Sequence, residues 1–200
     1  METAAHDADA AWASVDLAIA PEAVSALLGD PILLLRLNPC LEFSRIERLT
    51  DGRLSFAAHN ESNACQVESE VRVLGDPGGS EITLLYAQGI KRSTRLRVEA
   101  APTGSRLSLT ENYATPEPQE AERRLAEVDR SLLPWTAALR RHLERGARYG
   151  WIPGYRWWAT RLWPSMTPGQ RRVTWLIIWT TAIEFLVFLA VLAVYVAAGK

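Results

Sequence analysis

The chain has little of several things on which function commonly rests. Its two cysteines, Cys40 and Cys65, stand far apart and form no CxxC pair, so neither a disulfide framework nor a zinc site is indicated. Both read as buried free thiols. The three histidines, His6, His59 and His142, share no metal-ligand spacing and read as surface or packed residues, so no metal is expected. The glycine-rich stretch 75–80 lacks the GK[ST] ending that holds a phosphate and lies between two strand patterns, which makes it a hairpin turn. No acid, base and nucleophile converge in any pattern, so neither a catalytic residue nor a cofactor is expected. Residues 1–11 carry acidic groups and no apolar run behind positive charge, so they read as a flexible N-terminus and not as a secretory signal. Lysine is scarce too: Lys91 and Lys200 stand against twenty arginines, a hint of a GC-rich genome.

What is present is unevenly placed. The formal net charge of -1 conceals an acidic body on a basic neck, because residues 140–172 hold eight arginines against Glu144 alone. A nucleic-acid binder would carry its positive surface on the domain itself, so no nucleic-acid partner is expected. A basic neck suits anionic lipid.

The neck leads into an apolar run, 173–198, whose one ionisable side chain is Glu184. At about 1.5 Å per helical residue this run is long enough to cross a hydrocarbon core of about 30 Å with some tilt. Arg156, Arg161, Arg171 and Arg172 precede it and only Lys200 follows, so the positive-inside rule puts the N-terminal domain on the cytoplasmic face of a single-pass membrane protein, as in a bacterial inner membrane. Six of the eight tryptophans lie between Trp151 and Trp179. Within 150–172, Tyr155, Trp158, Leu162 and Trp163 share one helical arc and Arg156 and Arg161 the other, bracketed by Pro153-Gly154 and Pro164. With Trp151 and the Arg171-Arg172 pair, these residues are expected to lie at the membrane interface, rings at headgroup depth and guanidinium groups on phosphates. A protein contact would use the same residue types. In the span, Glu184 shares a face with Thr180 and Thr181, and such a polar stripe suits another transmembrane subunit, or a second copy, better than lipid.

The body has a readable order. Residues 12–19 alternate as a first strand with Ala13, Val15, Leu17 and Ile19 inward; Pro21 opens a helix over 22–28, and a second short helix covers 32–37. Six strands follow at 41–49, 53–60, 64–74, 80–88, 91–100 and 105–114, separated by turn chemistry such as Asp51-Gly52 and Pro102-Thr103-Gly104. After Pro116-Glu117-Pro118 a long helix is predicted to run to about Tyr149, with Leu125, Val128, Leu132, Trp135, Leu139 and Leu143 on one stripe and a kink at Pro134. This order resembles the α+β helix-grip fold of the START and Bet v 1-like superfamily, also labelled SRPBCC or polyketide cyclase-like, over 12–149. The resemblance implies a curved antiparallel sheet gripping the long helix around a cavity for lipids, sterols, quinones or polyketides.

In the last strand Leu107, Leu109, Glu111 and Tyr113 share a face. Glu111 and Tyr113 are therefore the foremost candidates for orienting a ligand, and Arg45 is a third. Glu111 at the rim, paired or wet, is the plainer alternative. The leading expectation is a membrane-tethered, non-catalytic module that binds or presents an apolar ligand such as a lipid, isoprenoid, quinone or pigment precursor. Two alternatives stay open: an accessory or assembly subunit of a membrane complex, docking through the neck and Glu184, and a cyclase-like enzyme working with a shaped pocket.

Overall fold

The computed structural model describes residues 10–76, 78–113 and 130–198. These divide into two compact units, one ending at Pro164 and one beginning at Ser165.

In the first unit, β1 (Ala10–Leu17) leads through α1 (Pro21–Leu28) and α2 (Pro31–Arg36) to β2 (Leu41–Arg48), β3 (Leu54–Asn60), β4 (Cys65–Leu74), β5 (Glu81–Tyr86), β6 (Lys91–Ala101) and β7 (Gly104–Tyr113). All seven strands pair antiparallel in one sheet of order β1-β7-β6-β5-β4-β3-β2. The strands stand where period-two alternation put them, with ends displaced by a residue or two. The expected end at Ala114 lies outside the described residues.

Local chemistry explains the boundaries. Both short helices begin at proline, whose missing amide has no intrahelical partner there, and Asp30 caps α2 by accepting from the Leu33 amide at 3.0 Å. Gly104 opens β7 with φ 141°, and a Cβ there would meet the Leu17 carbonyl oxygen at 2.2 Å, so this close approach to β1 admits only glycine. On the outer face of that same strand pair, Arg106 donates to both oxygens of Asp16, at 2.7 and 3.2 Å, and this hydrogen bonding holds the Asp16 carboxyl below its ordinary range.

The inner face of the sheet carries Ala13, Leu17, Leu54, Phe56, Val71, Leu84, Leu96, Leu107 and Leu109, all buried. They meet Val24, Leu28, Leu34 and Leu35 from the short helices and Trp135, Leu139 and Leu143 from α3 (Leu132–Tyr149). Residues such as Arg72, Arg95 and Arg97 face solvent, so one side of the sheet is wet and the other covered.

The long helix differs from expectation at its start. Arg130 and Ser131 are not helical and α3 opens at Leu132, so Pro134 falls in the first turn, where its lack of an N–H costs no helical bond and no mid-helix kink arises. Leu125, Val128 and the Pro116–Pro118 segment lie outside the described residues. The cysteines also differ: both are half-buried, Cys40 just before β2 and Cys65 at the first residue of β4, and neither lies within the packed face.

In the second unit, α4 (Pro168–Ala198) is one continuous helix. A reciprocal capping box opens it: the Gln170 amide donates to Thr167 Oγ1 at 3.3 Å, while Gln170 Oε1 accepts from the Thr167 amide at 2.9 Å. Its stretch Gly169–Ala198 is long and apolar enough to cross a membrane.

Candidate ligand cavity

A cavity of about 460 Å³ opens between the inner face of β3–β6, α2 and the start of α3. That volume lies in the range of sites for drug-sized ligands. Its apolar wall comes from Leu35, Leu41, Phe56, Val67, Ile90 and Trp135, and its polar groups from Asn38, Asn60, Asn63, Gln66, Gln88, Tyr86, Lys91 and Tyr113. Cys65 and Glu68 complete the wall with Gly89.

The α2 side of the cavity is held by buried hydrogen bonds. Trp135 Nε1 donates to the Leu34 carbonyl at 3.0 Å, and Asn38 Nδ2 donates to Ser131 Oγ at 2.8 Å. Asn38 also accepts, through Oδ1, from the Cys40 amide at 3.0 Å. Ser62 Oγ, in the β3–β4 turn, accepts from the Arg130 amide at 3.1 Å, so the turn beside the cavity is tied to the approach to α3.

At the opposite end lies Glu111, 0 % exposed. Lys91 Nζ donates to its Oε1 at 2.6 Å and the Tyr113 hydroxyl donates to its Oε2 at 2.6 Å. The Lys91 ammonium lies 5.9 Å from the Tyr86 ring centroid, and the Tyr86 hydroxyl shares a 3.2 Å hydrogen bond with Thr94 Oγ1. Glu111 is thus behind the cavity wall, and the two groups that bond it, Lys91 and Tyr113, form that wall.

Two β-bulges decide which cations take part. In β6 the pairing slips between Lys91 and Ser93, so that Lys91 stands opposite Tyr113 while Thr94 stands opposite Glu111. Strict alternation from the buried Leu96 and Thr94 would turn Arg92 inward and Lys91 outward. The bulge leaves Arg92 exposed and brings Lys91 to the cavity. In β2 the pairing slips between Phe43 and Arg45, with the reverse result: Phe43 and Ile46 pair with the inward Ala58 and Phe56, and Arg45 points outward to lie 3.8 Å from Glu47. Arg45 therefore has no place on the cavity wall. Lys91 was not legible from period two; its rarity as one of two lysines was the one signal available.

The neck holds a ladder of rings. Tyr149 and Tyr155 have centroids 5.8 Å apart, Tyr155 and Trp158 5.9 Å, and Trp158 and Trp163 5.0 Å. The helix that carries them is interrupted, with a turn at Tyr155–Trp157, a π-helical stretch at Trp158–Leu162 and a last turn at Trp163–Ser165 that contains the buried Pro164. Tyr155, Trp158 and Trp163 are half-buried, and burial pushes the Tyr155 hydroxyl up from its ordinary value. Trp151 is 79 % exposed and Trp157, which lies off the predicted arc, is 63 % exposed. Arg156, Arg161 and Leu162 are exposed beside them.

Along α4, Arg171 and Arg172 stand in the opening turns, and Thr180, Thr181 and Glu184 are exposed midway on one helical face. Among the described residues no group of three or more His, Cys, Asp or Glu is placed to hold a metal ion.

No protein-family model matches the chain, and no curated protein matches it. Among solved structures the chain is similar to the Zhui aromatase/cyclase of a Streptomyces species, at 19 % identity and a TM-score of 0.57, over 71 % of this chain and 97 % of that one. It is similar to a protein of Nitrosomonas europaea at 14 % identity and a TM-score of 0.51, over 72 % and 99 %. A protein of Thermus thermophilus matches at 17 % identity and a TM-score of 0.51, over 71 % and 99 %. Identity this low carries the fold alone, and that fold is the helix-grip arrangement of an antiparallel sheet closed on a long helix.

Proposed function

We propose that this chain is a membrane-tethered module whose helix-grip domain takes up or presents an apolar small molecule at the cytoplasmic face of a bilayer. The observation that carries this reading is the cavity of about 460 Å³, whose lining surface is mostly apolar and which ends in an ordered polar cluster. Tether and cavity support one another physically. A ligand with many buried CH2 groups leaves a bilayer at a cost of about 0.8 kcal/mol each, so a carrier gains from staying near its source. The exposed Trp151 and Trp157, set among arginines, suit the headgroup layer, while the ring ladder 149–163 stiffens the neck.

A second reading has its own support. Glu184 sits midway along an exposed apolar helix with two threonines on its face, and a carboxyl group there costs about 2.5–3.5 kcal/mol on insertion scales. An accessory subunit docking through that stripe, onto another membrane protein or a second copy, would relieve the cost.

Purification of the full chain from its native membrane in mild detergent, with mass spectrometry of co-extracted small molecules and proteins, separates the two. A stoichiometric apolar compound supports the carrier. Stoichiometric protein partners with an empty cavity support the subunit.

A further inference from the structure

The second half of α3 carries charge in a pattern that packing inside the domain does not require. Arg141, Arg145 and Arg148 recur at i, i+4 and i+7, which sets them on one helical face, while Leu139 and Leu143 are buried on the other. All three arginines are exposed. Among the described residues no carboxylate pairs with them, and Glu144, the one acidic residue of the helix, bonds Arg140 at 2.7 Å. Like charges at this spacing destabilise a helix. The helix dipole favours a cation in the last turn, which accounts for Arg148 and not for Arg141 two turns earlier.

The turn that ends α3 supplies an apolar tip. Trp151 is 79 % exposed, and Ile152 and Pro153 are exposed beside it. Trp151 is not loose: its Nε1 donates to the Arg148 carbonyl at 3.0 Å, so the one polar group of the indole is satisfied by the backbone and the ring is held out in solvent next to the arginine face. Arg156 folds back on the far side of the turn, where a Cβ on Gly150 would lie 3.6 Å from its Nε. An exposed apolar tip collared by guanidinium groups fits a surface that is anionic at its rim and apolar beneath. An acidic patch on a protein offers the first property, and an anionic bilayer offers both, with phosphates at headgroup depth and hydrocarbon below them. The apolar helix Gly169–Ala198 follows in the same chain and keeps a bilayer within reach.

We propose that the arginine face of α3 and the Trp151–Gly154 turn form a docking surface for anionic bilayer lipid, which lays the helix-grip domain itself against the membrane. This rests on the reading of the chain as membrane-tethered, and it names the lipid class and the part of the domain that meets it.

The test reconstitutes the full chain in nanodiscs of phosphatidylcholine alone, or of equal parts phosphatidylcholine and phosphatidylglycerol, and footprints it with hydroxyl radicals. Mass spectrometry reads the oxidation rate of each tryptophan. Trp12, 74 % exposed on the outer face of β1, is the internal reference. The expected result is Trp151 oxidation at least about fivefold slower in the anionic discs, with Trp12 unchanged, since one cation near an anionic surface is worth about that factor. Combining Arg141→Gln, Arg145→Gln and Arg148→Gln should return Trp151 to its rate in neutral discs, and raised salt should do the same. A triple variant that stays protected overturns the inference. Equal Trp151 rates in the two kinds of disc also overturn it, whether the ring stays open or a protein or second copy covers it regardless of lipid charge, and the tether still stands. A chain that enters neither disc overturns tether and docking together. The lipid comparison uses the wild-type chain, so it decides even where the variant does not fold.

Discussion

Lys91 and Tyr113 face each other across β6 and β7 and approach the same carboxylate from its two oxygens, each at 2.6 Å from Glu111. The three groups act as a unit. Replacing Glu111 by leucine removes the buried carboxylate that Lys91 and Tyr113 both bond, and unfolding in urea should show a loss of about 3–5 kcal/mol. Adding Lys91→Met should restore most of that loss. If the single and double variants were equally destabilised, the two charges would not be coupled as the geometry requires.

The same pair marks where sequence reasoning stops. The succession of strands and the inward faces of β1 and β7 were legible because alternation survives wherever a strand pairs regularly, as from Ala13 to Leu17 and from Leu107 to Tyr113. That is why Glu111 and Tyr113 could be placed inward. Arg45 and Lys91 were misplaced or missed for one shared reason: a single extra residue, Ser44 in β2 and Arg92 in β6, flips the side of all that lies beyond it. Contact between the rings of the neck was hidden likewise. A regular helix spreads Tyr155, Trp158 and Trp163 along an outward arc, whereas the π-helical stretch 158–162 lets successive rings meet.

Trp135 should matter to both stability and cavity shape. Its ring is buried and lines the cavity, and its N–H is bonded to a backbone carbonyl of α2. Trp135→Phe removes that bond and should cost about 1–3 kcal/mol, while Trp135→Ala should cost about 3–5 kcal/mol. Denaturant unfolding of the two variants checks the order.

Burial holds the His142 imidazole below its ordinary value of 6.5. Above that pH the ring is neutral in the folded and unfolded states alike. As pH falls through 6.5, the unfolded chain takes up a proton that the folded chain resists, so stability should decline until the lowered folded value is reached. Melting temperatures between about pH 7.5 and 5.5 should fall less steeply for His142→Gln than for the wild type. Asp16 does not confuse this window, because its carboxyl, held low by Arg106, titrates well below it.

If the Thr180–Thr181–Glu184 face docks a second transmembrane helix, Glu184→Leu should abolish co-purification of that helix while leaving the soluble fold unchanged. Recovery of the same partners at wild-type stoichiometry would remove the face from consideration.

The central claim is that the cavity holds an apolar molecule, and blocking it is the most direct test. Val67 lies on the cavity wall within β4, so Val67→Trp should fill the space while the sheet hydrogen bonds remain. Wild-type and Val67→Trp chains, matched for melting temperature and purified in parallel from native membranes, are extracted and compared by mass spectrometry. The account predicts an apolar compound present at near-stoichiometric amount with the wild type and depleted at least about tenfold with the filled variant, about 1.4 kcal/mol of lost binding. Identical extracts from the two proteins would contradict it.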